Sequence, residues 1–249
     1  FVVASALAVL LLSTPAAAFS PPLLRAQGAF GHHPSPVVRQ QAPCRTSLPP
    51  VRGAMGRLRM QEGEDQVEKA ILEVFRPDDM THRMSVSRTD GYWPYVSKGQ
   101  EAPLSNTYGE FSIPFLRQVI EEALVLSGGQ ADGTGKTFCD VGSGVGRVVI
   151  AAAAMYPWKV CRGVELLGGL HKMAVETVEG LGGRLSAELS LCPIELKQGS
   201  WEAPEIGFGD DDIIFAYSTA FGEEGMESLG RSLGAKAKDG AIVVCTEYE

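Results

Sequence analysis

The chain has 249 residues, a length that suits one α/β domain with additional segments. Residues 1–60 hold six arginines and no Asp, Glu or Lys, so residues 61–249 carry 16 basic and 30 acidic side chains, net −14. So acidic a body argues against strong nucleic-acid binding, which needs Lys and Arg to neutralise phosphates, and the composition excludes collagen-like and wholly disordered chains.

The amino end reads as a targeting leader. Residues 1–12 are apolar, and Ser13 to Phe19 supply the small residues of a cleavage site, so 1–19 is a signal-peptide-like segment. Residues 20–60 are rich in Pro, Arg, Ser and Ala, the composition of a transit peptide. The two together resemble the bipartite leader of nucleus-encoded plastid proteins, with secretion as the alternative. A mature chain starting near Met60 or Gln61 is expected, with no membrane partner, because no later apolar run reaches spanning length. The leader is expected to stay outside the fold.

Residues 61–126 read as an N-terminal helical segment and lid, and residues 127–249 as the core. Within 64–76, Val67, Ala70, Ile71, Val74 and Phe75 fall at helical spacing. Residues 77–106 mix polar groups with Pro, Gly and aromatics and read as loop. Ser112–Leu126 is an amphipathic helix that Ser112 can cap and whose first turn tolerates Pro114.

Short apolar runs then alternate with helices. The spacing predicts strands at Thr137–Val141, Lys159–Glu165, Ile194–Gln198, Asp212–Tyr217 and Ala241–Thr246. It predicts helices at Gly146–Tyr156, Gly168–Leu181 and Glu223–Ala235. Such alternation gives a doubly wound, mostly parallel Rossmann-like sheet covered on both faces. The five cysteines are widely spaced, with no C-x-x-C and no His at ligand spacing, so neither a disulfide scaffold nor a metal site is expected.

The chemistry concentrates in Asp140-Val-Gly142-Ser143-Gly144-Val-Gly146, which follows a strand and opens a helix. Glycines let the backbone turn sharply and approach a ligand closely. The dinucleotide fingerprint requires G-x-G-x-x-G, but here the third glycine comes one residue early and Arg147 takes its place. Asp140 at the strand end would repel a pyrophosphate and suits a cationic ligand. Glu165 ends the next strand, 19 residues after Gly146, where an acid can accept hydrogen bonds from ribose hydroxyls.

This pattern resembles motif I of class I S-adenosylmethionine-dependent methyltransferases. With Tyr108-Gly109-Glu110 about thirty residues earlier, and His171 and Ala174 in the next helix, residues 105–247 resemble the histone lysine methyltransferases of the disruptor-of-telomeric-silencing type. The resemblance implies S-adenosylmethionine as cofactor, bound by Tyr108, Gly109, Glu110, Asp140, Gly142, Ser143, Gly144, Gly146, Glu165, Ser200 and Trp201. Tyr108–Glu110 would close over the methionine moiety, and Ser200-Trp201 would border the adenine. It also implies a protein acceptor, methylated at lysine, with Tyr108, Tyr217 and Ser218 lining the acceptor channel as catalytic residues. Tyr217 and Ser218 stand where the family carries asparagines. Two rival readings are a methyltransferase for a small metabolite and a methyltransferase-like module that binds without catalysis. The family's C-terminal antiparallel strand hairpin is not found after Thr246, and the core reads as C-terminally incomplete.

Overall fold

The computed structural model describes residues 6–11, 66–128, 132–181 and 189–247. The transit-like segment 20–60 lies outside the described residues. Strand β1 (Ala6–Leu11) is followed by helix α1 at 66–74, α2 (Met80–Gly91), α3 (Trp93–Val96) and α4 (Ile113–Leu126). The alternating part then runs β2 (Thr137–Val141), α5 (Arg147–Met155), β3 (Val160–Glu165), α6 (Gly168–Gly180), β4 (Ile194–Gln198), β5 (Ile213–Ala216), α7 (Gly222–Lys236) and β6 (Ile242–Glu247). The strands and helices expected in this part are all present, and their ends shift by one or two residues at most.

The sheet order is β1-β6-β5-β2-β3-β4. Strands β2 to β6 are parallel, and β1 runs antiparallel along β6 from Ala6 opposite Glu247 to Leu11 opposite Ile242. The leader segment 6–11 is thus part of the sheet, contrary to the expectation that it stays outside. An apolar run without charges satisfies a strand on a sheet edge as well as it satisfies a signal-peptide core. The antiparallel neighbour of the fifth parallel strand comes here from the amino end of the chain.

All five residues of β2 are buried, because the strand is central and covered on both faces. Phe138 and Ile213 face a cluster with Ile71, Leu116, Ile120 and Ile150 from α1, α4 and α5. Cys139 and Ile214 point the other way, to Leu229 and Leu233 of α7. The alternation follows from the two-residue period of a strand. From β2 the chain first builds outward through β3 and β4, then returns to the other side of β2 with β5. That reversal opens a crevice at the carboxyl ends of β2, β3 and β5, where open α/β sheets bind ligands.

Two further points depart from the sequence reading. Residues 77–106, expected as loop, contain α2 and α3. The inward face of α2 carries Arg83, Ser87 and Gly91, spaced four apart, so the helix has no apolar stripe to betray it. In α4, Pro114 sits in the first turn as expected, but Ser112 makes no side-chain capping bond. Burial of Ile113, Leu116, Val119, Ile120, Ala123 and Leu124 supplies the stability instead, roughly 1.5–3 kcal/mol per large side chain.

The opposite end of the sheet is tied by charge. Arg162 of β3 meets Asp211 at 2.7 Å and also donates to the Gly207 carbonyl. Asp212 accepts the Thr137 N–H and the Lys238 ammonium. The acidic run before β5 is therefore structural. Among the described residues no helix is long and apolar enough to cross a membrane.

Candidate cofactor-binding site

The crevice holds a cleft that is open to solvent and lined by the β2–α5 turn, the end of β3 and residues 105–111. Its floor is the turn between β2 and α5. Gly142, Gly144 and Gly146 all have φ in the left-handed region, between 54° and 80°. At Gly144 an added Cβ would lie 2.8 Å from the Tyr108 ring, so the lid can touch the turn only because the side chain is absent. The Gly142 and Ser143 N–H groups donate to the Val164 carbonyl and bind the turn to β3. Gly146 is the N-cap of α5 and would press its Cβ on Ala174 of α6 at 3.3 Å. It packs helix on helix and does not line the cleft, a correction to its expected cofactor role.

Two carboxylates sit at adjacent strand ends. Asp140 is buried, and neither oxygen accepts a hydrogen bond from the described residues. Burial, and next the negative charge of Glu165, hold its pKa well above the ordinary 3.8. Glu165 is buried too, but each oxygen has a donor: Oε2 accepts the Gly144 N–H at 2.7 Å and Oε1 the Leu167 N–H at 2.8 Å. Burial raises its pKa, and the backbone donors work against that rise. A carboxylate oxygen has two lone pairs, so Glu165 keeps acceptor capacity for hydroxyls. Asp140 lines the cleft, where a donor or cation of a ligand can meet it.

The lid runs from Ser105 to Phe111 along the cleft. Tyr108 O–H donates to Glu110 Oε1 at 2.9 Å. Burial and the adjacent Glu110 charge push the phenol pKa far up, so Tyr108 stays protonated and acts as a donor, not as a base. Glu110 is paired with Arg83 of α2 at 2.8 Å and lies 3.7 Å from Arg147 Nε. Arg147 lines the cleft, donates to the Phe111 carbonyl, and leaves Nε buried without a hydrogen-bond partner.

On the far wall, Trp201 stacks on Phe221 with centroids 5.1 Å apart and planes at 32°. Trp201 Nε1 donates to Ser228 of α7, which fixes the ring. Leu166, Leu167 and Leu170 make the apolar side of the same space. Tyr217 lines the cleft and packs edge-on against Phe111.

Most of the expected residues are brought together: Tyr108, Gly109, Glu110, Asp140, Gly142, Ser143, Gly144, Glu165, Trp201 and Tyr217 all border one cleft. Ser200 does not; its hydroxyl accepts the Glu202 N–H and closes a local turn. Ser218 does not either. It is buried, and its hydroxyl donates to the Thr246 carbonyl at 2.6 Å and accepts the Thr246 N–H. Ser218 ties the end of β5 to β6, so it cannot reach an acceptor in the cleft.

Sequence reasoning missed Arg83, Phe221 and Arg147 as partners in the site. Arg147 carried a signal, since it stands where a dinucleotide site needs glycine. Arg83 carried none, because it lies in a segment without periodicity.

A central parallel sheet, a glycine turn, a buried acid at each of two strand ends and an aromatic wall define the class. It is that of the S-adenosylmethionine-dependent methyltransferases with a Rossmann-like sheet. The family model for the histone methylation protein DOT1 matches residues 98–248, and the chain belongs to that family.

Solved structures that the chain is similar to include three methyltransferases. The RNA methyltransferase of Salinibacter ruber, in complex with S-adenosyl-L-homocysteine, is 26% identical, with 51% of this chain and 73% of that one covered and a TM-score of 0.38. The ribosomal protein L11 methylase of Lactobacillus delbrueckii subsp. bulgaricus is 23% identical, with 53% and 58% covered and a TM-score of 0.39. An S-adenosylmethionine-dependent methyltransferase of Clostridium acetobutylicum is 14% identical, with 55% and 50% covered and a TM-score of 0.42. The chain thus spans half to three quarters of the length of these structures. Among curated proteins no sequence matches it.

Proposed function

We propose that the chain transfers the methyl group of S-adenosylmethionine to a lysine of a basic protein segment. The observation that carries the reading is the pairing of two buried acids that line one cleft, Asp140 and Glu165, on the two sides of the glycine turn. The cleft offers a partner for each feature of the cofactor. Glu165 would take the ribose hydroxyls, Trp201 and Phe221 the adenine, and Asp140 and Glu110 the positive end. The Arg147 guanidinium lines the cleft and offers a cation for the carboxylate.

Bound there, the cofactor supplies an electrophilic methyl on a sulfonium, open to in-line displacement. The chain's own part is alignment and the exclusion of water. Tyr108, drawn onto Gly144, closes the cleft from above. A lysine amine has a free pKa of about 10.4 and must lose its proton before it attacks, which an apolar, dry approach past Phe111 and Tyr217 favours. Family membership supports lysine, and the net charge of −14 over residues 61–249 supports a basic acceptor. The composition of residues 1–60 supports plastid import as the setting, and removal of that leader would take β1 away and leave β6 as the sheet edge.

A second reading has its own observation. Tyr217 offers only a phenol at the mouth and Ser218 is sealed against Thr246, which favours a module that binds the cofactor without transfer. Radiolabelled methyl transfer to protein and small-molecule fractions, followed by amino-acid analysis, separates these. Methyl-lysine in the protein fraction supports the proposal. Label confined to small molecules, or cofactor binding with no transfer, overturns it.

A further inference from the structure

The lid's Glu110 is held from outside the family's matched region. Arg83 Nε donates to Glu110 Oε1 at 2.8 Å, and its Nη2 approaches the same oxygen while also donating to the Arg76 carbonyl. The Arg83 side chain is 4% exposed and does not line the cleft. Tyr108 donates to that same Oε1. Three donors therefore converge on one oxygen, and among the described residues Oε2 faces Arg147 Nε at 3.7 Å. Charge-assisted bonds of this kind fix a carboxylate's rotamer.

The rest of α2 is docked on the same lid. Ser87 Oγ donates to the Asn106 carbonyl, and Asn106 Nδ2 donates to the Gly91 carbonyl. Asp90 accepts the Gly169 N–H at the start of α6. A Cβ on Gly91 would meet Asn106 at 2.8 Å, so helix and lid are in close contact. Residues 83, 87 and 91 share one face of α2. The helix thus grips the lid near its start, at Asn106, and again at Glu110.

We propose that Arg83 is the positioning residue of the cofactor site: it pins Oε1 of Glu110 so that Oε2 is presented to the cationic amino-acid end of the ligand. The inference rests on the S-adenosylmethionine reading given above. Without Arg83, Glu110 would share a cleft with Asp140 and Glu165 and would turn away from their charge.

The test is calorimetry with two probes. S-adenosylhomocysteine reads the whole site, whereas 5′-methylthioadenosine lacks the amino-acid end and reads only the nucleoside half. Arg83→Met is expected to weaken S-adenosylhomocysteine at least tenfold and to leave 5′-methylthioadenosine within twofold. Arg83→Lys keeps the charge with fewer donors and is expected to show the same selective loss, about threefold in size. In a Glu110→Gln background, Arg83→Lys is expected to have no further effect. Equal weakening of both probes would mean a merely structural role and would overturn the proposal, as would unchanged binding of both. A Lys effect that persists in the Glu110→Gln background would do the same. If Arg83→Met does not fold by circular dichroism, the Lys variant and its cycle decide. Binding of neither probe by the native chain would instead overturn the cofactor reading itself.

Discussion

Glu165 reaches back from the end of β3 and accepts the N–H of Gly144, so the second acid of the site also braces the glycine turn of the first. Its other oxygen takes the Leu167 N–H. One side chain therefore serves the fold and the ligand together. Glu165→Ala is expected to lower stability by about 1–3 kcal/mol for each buried donor left unpaired and to abolish S-adenosylhomocysteine binding. Glu165→Gln keeps one acceptor and should lose less stability while still binding poorly. Urea unfolding beside calorimetry checks both, and a Glu165→Ala chain with native stability would contradict the bracing role.

Asp140 should make the ligand-free protein less stable as the pH rises. Burial and the Glu165 charge raise its pKa in the folded state, so the folded chain binds more protons than the unfolded one above the ordinary value of 3.8. Stability is then lost as pH climbs from that value through the raised one. Asp140→Asn is expected to melt higher than the native chain at neutral pH and to bind S-adenosylhomocysteine at least tenfold more weakly. At a pH below the raised pKa, a ligand cation should drive the proton off. Calorimetry in two buffers of different ionisation enthalpy should show net proton release on binding.

Gly144→Ala places a methyl against the Tyr108 ring in a left-handed backbone. Strain of this kind costs about 1–3 kcal/mol. The chain should fold, with the lid displaced and ligand affinity reduced at least tenfold. Trimming the opposing ring with Tyr108→Ala should make the pair of substitutions less than additive in stability, which a double-mutant cycle measures.

The Ser218 hydroxyl belongs to the sheet. Ser218→Ala breaks its bonds to the Thr246 backbone and should cost about 1–3 kcal/mol. Ligand affinity should stay within twofold of native. A large loss of affinity with unchanged stability would restore Ser218 to the site.

Removing one partner of a buried ion pair leaves the other charge without compensation, and Asp211→Ala should therefore lose about 3–5 kcal/mol. The pair lies at the opposite end of the sheet from the cleft. Binding by the fraction that remains folded should be native-like, as a titration below the new melting temperature would show.

What the sequence made legible follows a physical line. Elements built on apolar periodicity, such as β2 and α4, announce themselves because burial of Phe138 or Leu116 is what forms them. The glycines and acids of the turn are legible because few residue types meet their backbone and charge demands. Helix α2 was hidden because its buried face is Arg83, Ser87 and Gly91, which pack by hydrogen bonds that only the folded neighbours supply. Ser200 and Ser218 were misplaced for the converse reason: a short polar side chain satisfies a nearby backbone group as readily as a ligand, and position in a motif does not tell which.

The β1–β6 ladder joins positions 231 to 241 residues apart along the chain, from Leu11 with Ile242 to Ala6 with Glu247. Contacts so distant in sequence carry a large loop-closure entropy and form late. In the chain that keeps residues 6–11, the outermost rung of this sheet is thus a clasp between two segments far apart in sequence. Amides of β6 should be among the last in the sheet to gain protection from solvent hydrogen exchange during refolding. At equilibrium they should open before those of β2, while β2, β3 and β5 around the cleft stay paired.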